Sequence, residues 1–548
     1  MSQELTSNME RAPQRALLKA SGLGDDEIAK PLVAVVIAGS ETDGALSGRV
    51  ADAVKAGIYA NGCTPVVVPV IGVCDGRVFG GGSRYALPSR EIIADSVETV
   101  LVAHAFDGAV FVPDSDETVA GMLMGAARVN IPSVFVSGGP MPSGVFHGKR
   151  VGLKDVYAGI AAVKNGSMSR DELDELETVA CPGFGNDSGL STANILNCAC
   201  EAIGIALPGN GTALAASSER LRIAKRSGEA IVRLVREAVT PRTMLTKRAL
   251  TNALTLVMAL GGSTDCVLHL LAVASECNVA LDLELVQQVS DATPALCDGF
   301  DGSFDMERFA VSGGVPATLH ELAKKNLIDG SAFTVCGGRL ADVYEHAHVT
   351  DETVIHKIDN PVSPVGGIAV VKGNLAERGA LVKRSTATAK LSLSGKAKCF
   401  NSEEDAVTAI SSGKIKKGDV VVIRYEGPVG GPGMRKMRNA AIALIGEGLE
   451  NDVAIVTDGR LSDAVKCIAV GHVSPEAAEG SKLALVQDND VIKLDVQNGR
   501  LTLDVPAKTL DARRKKLRPR DSVASGLMLR YQNLVTSADL GAVLKKKF

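Results

Sequence analysis

The residues of this chain best suited to chemistry are acids. Asp75 follows one apolar run, and Asp114, Asp116 and Glu117 follow another within four positions. Four neighbouring carboxylates repel one another, which raises some of their pKa values unless a cation sits among them. A hard divalent ion such as magnesium or manganese, which takes an octahedron of oxygens, would make the set tolerable. The plainer alternative is a group of solvated acids on loop ends. Asp187 opens a second candidate. It precedes Ser188-Gly189-Leu190-Ser191-Thr192-Ala193-Asn194 and a helical run, so it could cap that helix, as Asn186 could. His104, His269 and His472 sit in apolar settings without metal-ligand spacing and are expected to be structural.

These groups need a frame. Apolar runs at 31–38, 65–73, 108–113 and 133–137 alternate with helical patterns near 47–61, 89–105 and 118–128. That series predicts an α/β fold with a mostly parallel, doubly wound sheet. Ligands of such sheets bind outside the carboxyl ends of the strands, where Asp75 and Asp114 to Glu117 should lie. A helical middle is expected from about 186 to 323, most periodic at 249–262 and 266–276. Beyond Asp359-Asn360-Pro361 the composition changes. Short β-type runs at 368–372, 420–425, 453–457, 483–486 and 491–495, with a helix opened by Ser402, predict a second, β-rich domain. We place the boundary at 365/366, giving domains 1–365 and 366–548.

With 59 basic and 63 acidic residues the formal charge is −4, and no basic stripe with interleaved aromatics occurs, so nucleic acid is not an expected partner. No apolar run reaches the roughly 18 residues of a membrane helix. The amino terminus is polar rather than signal-like, and the eleven cysteines lack paired spacing; a cytoplasmic protein with reduced thiols is expected.

Several motifs together carry a resemblance. They are Gly72-Val73-Cys74-Asp75-Gly76, Leu87-Pro88-Ser89-Arg90-Glu91, Val136-Ser137-Gly138-Gly139-Pro140-Met141, Tyr425-Glu426-Gly427-Pro428 and Gly471-His472-Val473-Ser474-Pro475-Glu476-Ala477-Ala478-Glu479. The chain resembles the dihydroxy-acid and sugar-acid dehydratase family from end to end. The resemblance implies a β-barrel-like carboxy-terminal domain, a homodimer or homotetramer, and a hydroxy-acid substrate. It also implies magnesium ligands at Asp75, Asp116 and Glu426, with Glu117 replacing a carbamylated lysine, and Ser462 as the base that removes the C2 proton. A serine serves as a base only with positive charge close by.

The family's iron–sulfur cysteines are missing from their expected places. Ser115 and Asp187 stand at two of them, and no cysteine precedes Cys63. We therefore expect no cluster. A hydroxyl at Ser115 can bind a substrate oxygen but does not anchor iron as a thiolate does. Two further departures are Asp265, where relatives have asparagine after Gly-Gly-Ser-Thr, and Asp463, where they have glycine after the serine. Without a cluster the means of expelling hydroxide is altered, since hydroxide leaves poorly. The expected activity is a metal-dependent lyase reaction on a hydroxylated carboxylic acid, with Ser462, Asp187 and Ser115 as candidate catalytic groups. A hydroxy-acid isomerase or epimerase, and a non-catalytic binding or regulatory homologue, are the alternatives.

Overall fold

The computed structural model describes the chain except for residues 1–7, 40–43, 79, 300–303, 385–390, 432, 463–466, 519–523 and 547–548. Asp463 lies outside the described residues. Four strands, β1 (Leu32–Gly39), β2 (Thr64–Ile71), β3 (Gly108–Val112) and β4 (Ser133–Phe135), form a wholly parallel sheet in the order β2-β1-β3-β4. Both central strands are almost entirely Val, Ile, Ala and Phe and are buried along their length. That is the pattern of strands covered on both faces. The flanking helices are α1 (Gly44–Ala60), α2 (Ala86–Ala103), α3 (Asp116–Val129) and, from later in the chain, α5 (Ser218–Glu237). α2 packs on α3 and α5 on α1. At the last contact a Cβ on Gly57 would meet the Lys225 carbonyl oxygen at 2.1 Å, so only glycine permits this approach.

A small hairpin, β5 (Gly144–Phe146) with β6 (Lys149–Val151), precedes the helical middle. There α4 (Thr192–Ile203), α6 (Lys247–Ala259) and α7 (Thr264–Cys277) share one apolar core with the sheet. The last helix of this region ends at Tyr344.

The second body is a closed barrel of mixed strand directions. Its strands are β7 (Ile368–Gly373), β8 (Ala376–Lys383), β9 (Ser392–Phe400), β10 (Asp419–Ile423), β11 (Ala454–Thr457), β12 (Ile468–Ser474), β13 (Val491–Asp495) and β14 (Arg500–Asp504). They close in the order β10-β11-β12-β8-β7-β14-β13-β9. Helices α8 (Glu403–Ser411) and α9 (Arg438–Gly446) share a second apolar core with β10 and β11. The expected strand at 483–486 is instead part of a single helical turn, Lys482–Leu485, started after Ser481. The chain then returns to the first domain: Arg90 donates from Nη2 to the carbonyls of Gly541 at 2.8 Å and Ala542 at 2.7 Å.

Candidate active site

The loops after β2 and β3 deliver Asp75 and Asp114 to Glu117 to the carboxyl edge of the sheet, as parallel topology requires. Ser115 is the N-cap of α3, accepting from the Thr118 N–H at 3.4 Å and donating to the Val73 carbonyl at 3.2 Å. Asp116 and Glu117 therefore occupy the first turn of α3, where helix N–H groups favour negative charge. Asp265 occupies the first turn of α7 in the same way. Opposite them the barrel domain presents Lys436, Arg438 and Arg460. Lys436 and Arg460 are neighbours because their two loops pair, Met437 N–H donating to Arg460 O at 2.9 Å.

The acids close on these cations. Lys436 Nζ lies 2.9 Å from Asp75 Oδ2, 3.2 Å from Asp116 Oδ2 and 3.0 Å from Asp265 Oδ2. Arg460, whose side chain is 0% exposed, places Nη1 3.2 Å from both Glu117 Oε1 and Asp265 Oδ2. Arg438 Nη2 stands 3.7 Å from Asp75 and its guanidinium covers the Tyr157 ring at 4.9 Å. His472 Nε2 faces Asp265 Oδ1 at 3.6 Å. His269 lies beside Arg90, its Nδ1 3.4 Å from Nη1; burial and that guanidinium push its pKa down to about 3, so it is neutral.

The charges follow from this packing. Burial alone would raise Asp75, Asp116 and Asp265, but Lys436 and Arg460 outweigh it and hold all three below the ordinary carboxylate range. Glu117 goes the other way, pushed up by burial and by Asp116 beside it. Burial opposes the charge on Lys436, but its three carboxylates prevail and it stays an ammonium.

Of the expected magnesium ligands, Asp75, Asp116 and Glu117 stand together and Glu426 stands apart. Glu426 is not part of the cluster: its Oε2 accepts from Arg435 Nε at 3.0 Å and its Oε1 from the Glu403 N–H at 3.1 Å. With the ammonium at the centre of Asp75, Asp116 and Asp265, the donors do not fit a magnesium ion there. A cluster fits no better. Of the described cysteines only Cys74 and Cys181 line the pocket, and burial pushes the Cys74 thiol up to about 11, away from the thiolate that iron requires.

A cavity of 390 Å³ opens onto this cluster. Ser115, Asp187, Ser462, Lys436 and Arg438 all line it, together with Asp75 and Asp116. Asp187 is not the helix cap; Ser191 caps α4, accepting from Asn194 N–H at 3.5 Å. Asp187 instead faces the cavity, with burial raising its pKa against the opposing pull of the Gly189 N–H and Lys154. Reading the sequence missed Lys436, Arg438 and Arg460. A signal was present, since three basic residues flank glycine-rich turns in a domain that must face an acidic crevice.

The carboxyl edge of the parallel sheet thus carries the acids, and the barrel closes over it with cations and a serine. Family models described as dihydroxy-acid/6-phosphogluconate dehydratase, N-terminal and C-terminal, match residues 30–343 and 353–542. The chain is 50% identical to the dihydroxy-acid dehydratase of Carboxydothermus hydrogenoformans, covering 99% of each chain. It is 46% identical to that of Acetivibrio thermocellus over 100% of both, and 48% identical to that of Caldicellulosiruptor saccharolyticus over 98% of both. The chain belongs to the dihydroxy-acid and 6-phosphogluconate dehydratase family, whose members are hydro-lyases. Among the described residues, no helix is long and apolar enough to cross a membrane.

Proposed function

We propose that this chain is a hydro-lyase for a small hydroxylated carboxylic acid, a dihydroxy acid or sugar acid, that works with fixed side-chain charges and without an iron–sulfur cluster. The reading rests on one observation: Ser462, Asp187, Lys436 and Arg438 share the wall of a single cavity. Arg438 and Lys436 attract the substrate carboxylate and balance the charge that builds on it when the C2 proton leaves. Ser462 accepts that proton, with Lys383 and Lys436 on the same wall as the positive charge a serine base needs. Asp187, on the same wall and with its pKa raised by burial, is the acid assigned to protonate the departing C3 hydroxyl. Breaking C2–H and C3–O forms the enol and one water, and the enol tautomerises to a 2-keto acid. Ser115, occupied as a helix cap, offers its hydroxyl to a substrate oxygen. We further propose that residues 1–365 and 366–548 act as the two halves that enclose the substrate.

The test is incubation with branched dihydroxy acids and with aldonates in deuterated water, followed by carbonyl trapping and mass analysis. Keto acid labelled at C3 supports the lyase. Deuterium at C2 without keto product identifies an epimerase or racemase instead. Neither product from any of these substrates overturns the proposal.

A further inference from the structure

We infer that the Lys436 ammonium is a built-in cation holding the position a divalent ion would take among Asp75, Asp116 and Asp265. The three carboxylates come from three separate elements of the first domain: the loop after β2, the start of α3 and the start of α7. Their Oδ2 atoms converge on one nitrogen at 2.9, 3.2 and 3.0 Å. The ammonium donates a hydrogen bond to Asp116 Oδ2 and meets Asp75 and Asp265 as ion pairs, so one cation is shared by three acids. The separations are those of N–H to oxygen contacts; magnesium would draw the same oxygens to about 2.0–2.1 Å.

Neighbouring cations support the same conclusion. Arg460 Nη1 stands 3.2 Å from Asp265 Oδ2 and Arg438 Nη2 3.7 Å from Asp75 Oδ2, so a divalent ion added to this group meets the repulsion of an ammonium and two guanidinium groups as well as the attraction of the acids. The ammonium is also tethered: Lys436 is fixed by the pairing of its loop with Arg460, so unlike a bound ion it does not dissociate. Arg460 Nη2 and Glu117 Oε2 are buried without hydrogen-bond partners, which marks the acids and cations as fitted to one another by charge rather than by complete hydrogen bonding. The inference concerns the cation alone and stands whether or not the proposed reaction occurs.

Manganese binding tests it by a readout independent of turnover. The full chain, stripped with chelator, is titrated with Mn2+ and free ion is followed by electron paramagnetic resonance, for wild type, Lys436→Ala and Lys436→Arg. The expected result is no stoichiometric uptake by wild type or Lys436→Arg and one ion per chain for Lys436→Ala. Circular dichroism confirms that each variant is folded, and Lys436→Met, which retains most of the stem, replaces the alanine variant if that one is not. One tight Mn2+ in wild type overturns the inference, as does a folded neutral variant that takes up none.

Discussion

Arg460→Met separates a fitted charge cluster from an incidental one. The arginine is wholly enclosed, and its loss removes Nη1 contacts at 3.2 Å to Asp265 and Glu117 together with the 2.8 Å bond from Nε to the Met434 carbonyl. Removing one partner of a buried ion pair costs about 3–5 kcal/mol, because the other charge stays buried without compensation. One feature here favours the lower end: Asp265 keeps Lys436 at 3.0 Å, so about 3 kcal/mol is expected. With an unfolding entropy of about 2.1 cal/mol/K per residue, 548 residues give about 1.2 kcal/mol/K, so a cooperative melt would fall by only about 2–3 °C. Urea titration followed by circular dichroism is therefore the better assay. Combining Arg460→Met with Asp265→Asn removes the orphaned charge as well, and the double variant should be less damaged than the sum of the single ones by about 1–3 kcal/mol. Strict additivity, or a loss under about 1 kcal/mol for Arg460→Met, would refute the ion-pairing argument.

Ser462→Ala should abolish keto-acid formation while leaving the urea midpoint within about 0.5 kcal/mol of wild type, since one hydroxyl at a cavity wall is removed; turnover at the wild-type rate would assign the base elsewhere. Glu476 is pushed up to about 7 by burial, against the pull of the Ala538 N–H and Ser537, both bonded to Oε1. Its folded pKa lies above the unfolded value of about 4.3, so its contribution to stability is complete below that pH and is lost as pH rises through 7. Glu476→Gln keeps an acceptor for both bonds and should flatten the stability profile between those limits; an unchanged slope in urea titrations across that range counts against the assignment. Gly57→Ala drives a Cβ against the Lys225 carbonyl and should destabilise by about 1–3 kcal/mol or more, measured by the same titration; a neutral outcome would mean α1 and α5 separate easily.

The sheet was legible because buried parallel strands are written as unbroken runs of Val, Ile and Ala. The four expected runs lie within one or two residues of β1, β2 and β3, and β4 ends two residues early. The barrel was only half legible. β9, Ser392–Phe400, interleaves lysines and serines with buried positions, and β8 contains Glu377, Arg378 and Gly379, so neither displays an apolar run. The run at 483–486 is apolar because it packs into the barrel core as a helical turn; burial alone does not distinguish the two conformations. At the site, the acids after β2 and β3 were readable from topology. Their partners were not, because Lys436 and Arg460 meet them only through the docking of a domain more than 300 residues later. The contact of Glu117 with Arg460 follows from that docking, whereas Glu426 pairs with Arg435 inside the barrel domain itself.

The closure of the chain upon itself has a consequence for its synthesis. The acids at 75, 116 and 265 leave the ribosome well before the cations at 436, 438 and 460, and the carbonyls that receive Arg90, at 541 and 542, follow later still. Until then the nascent first domain carries an uncovered anionic face, and Arg90 has Glu91 but not its two carbonyl partners. The first domain therefore completes its contacts only when residues from the far side of the barrel dock on it.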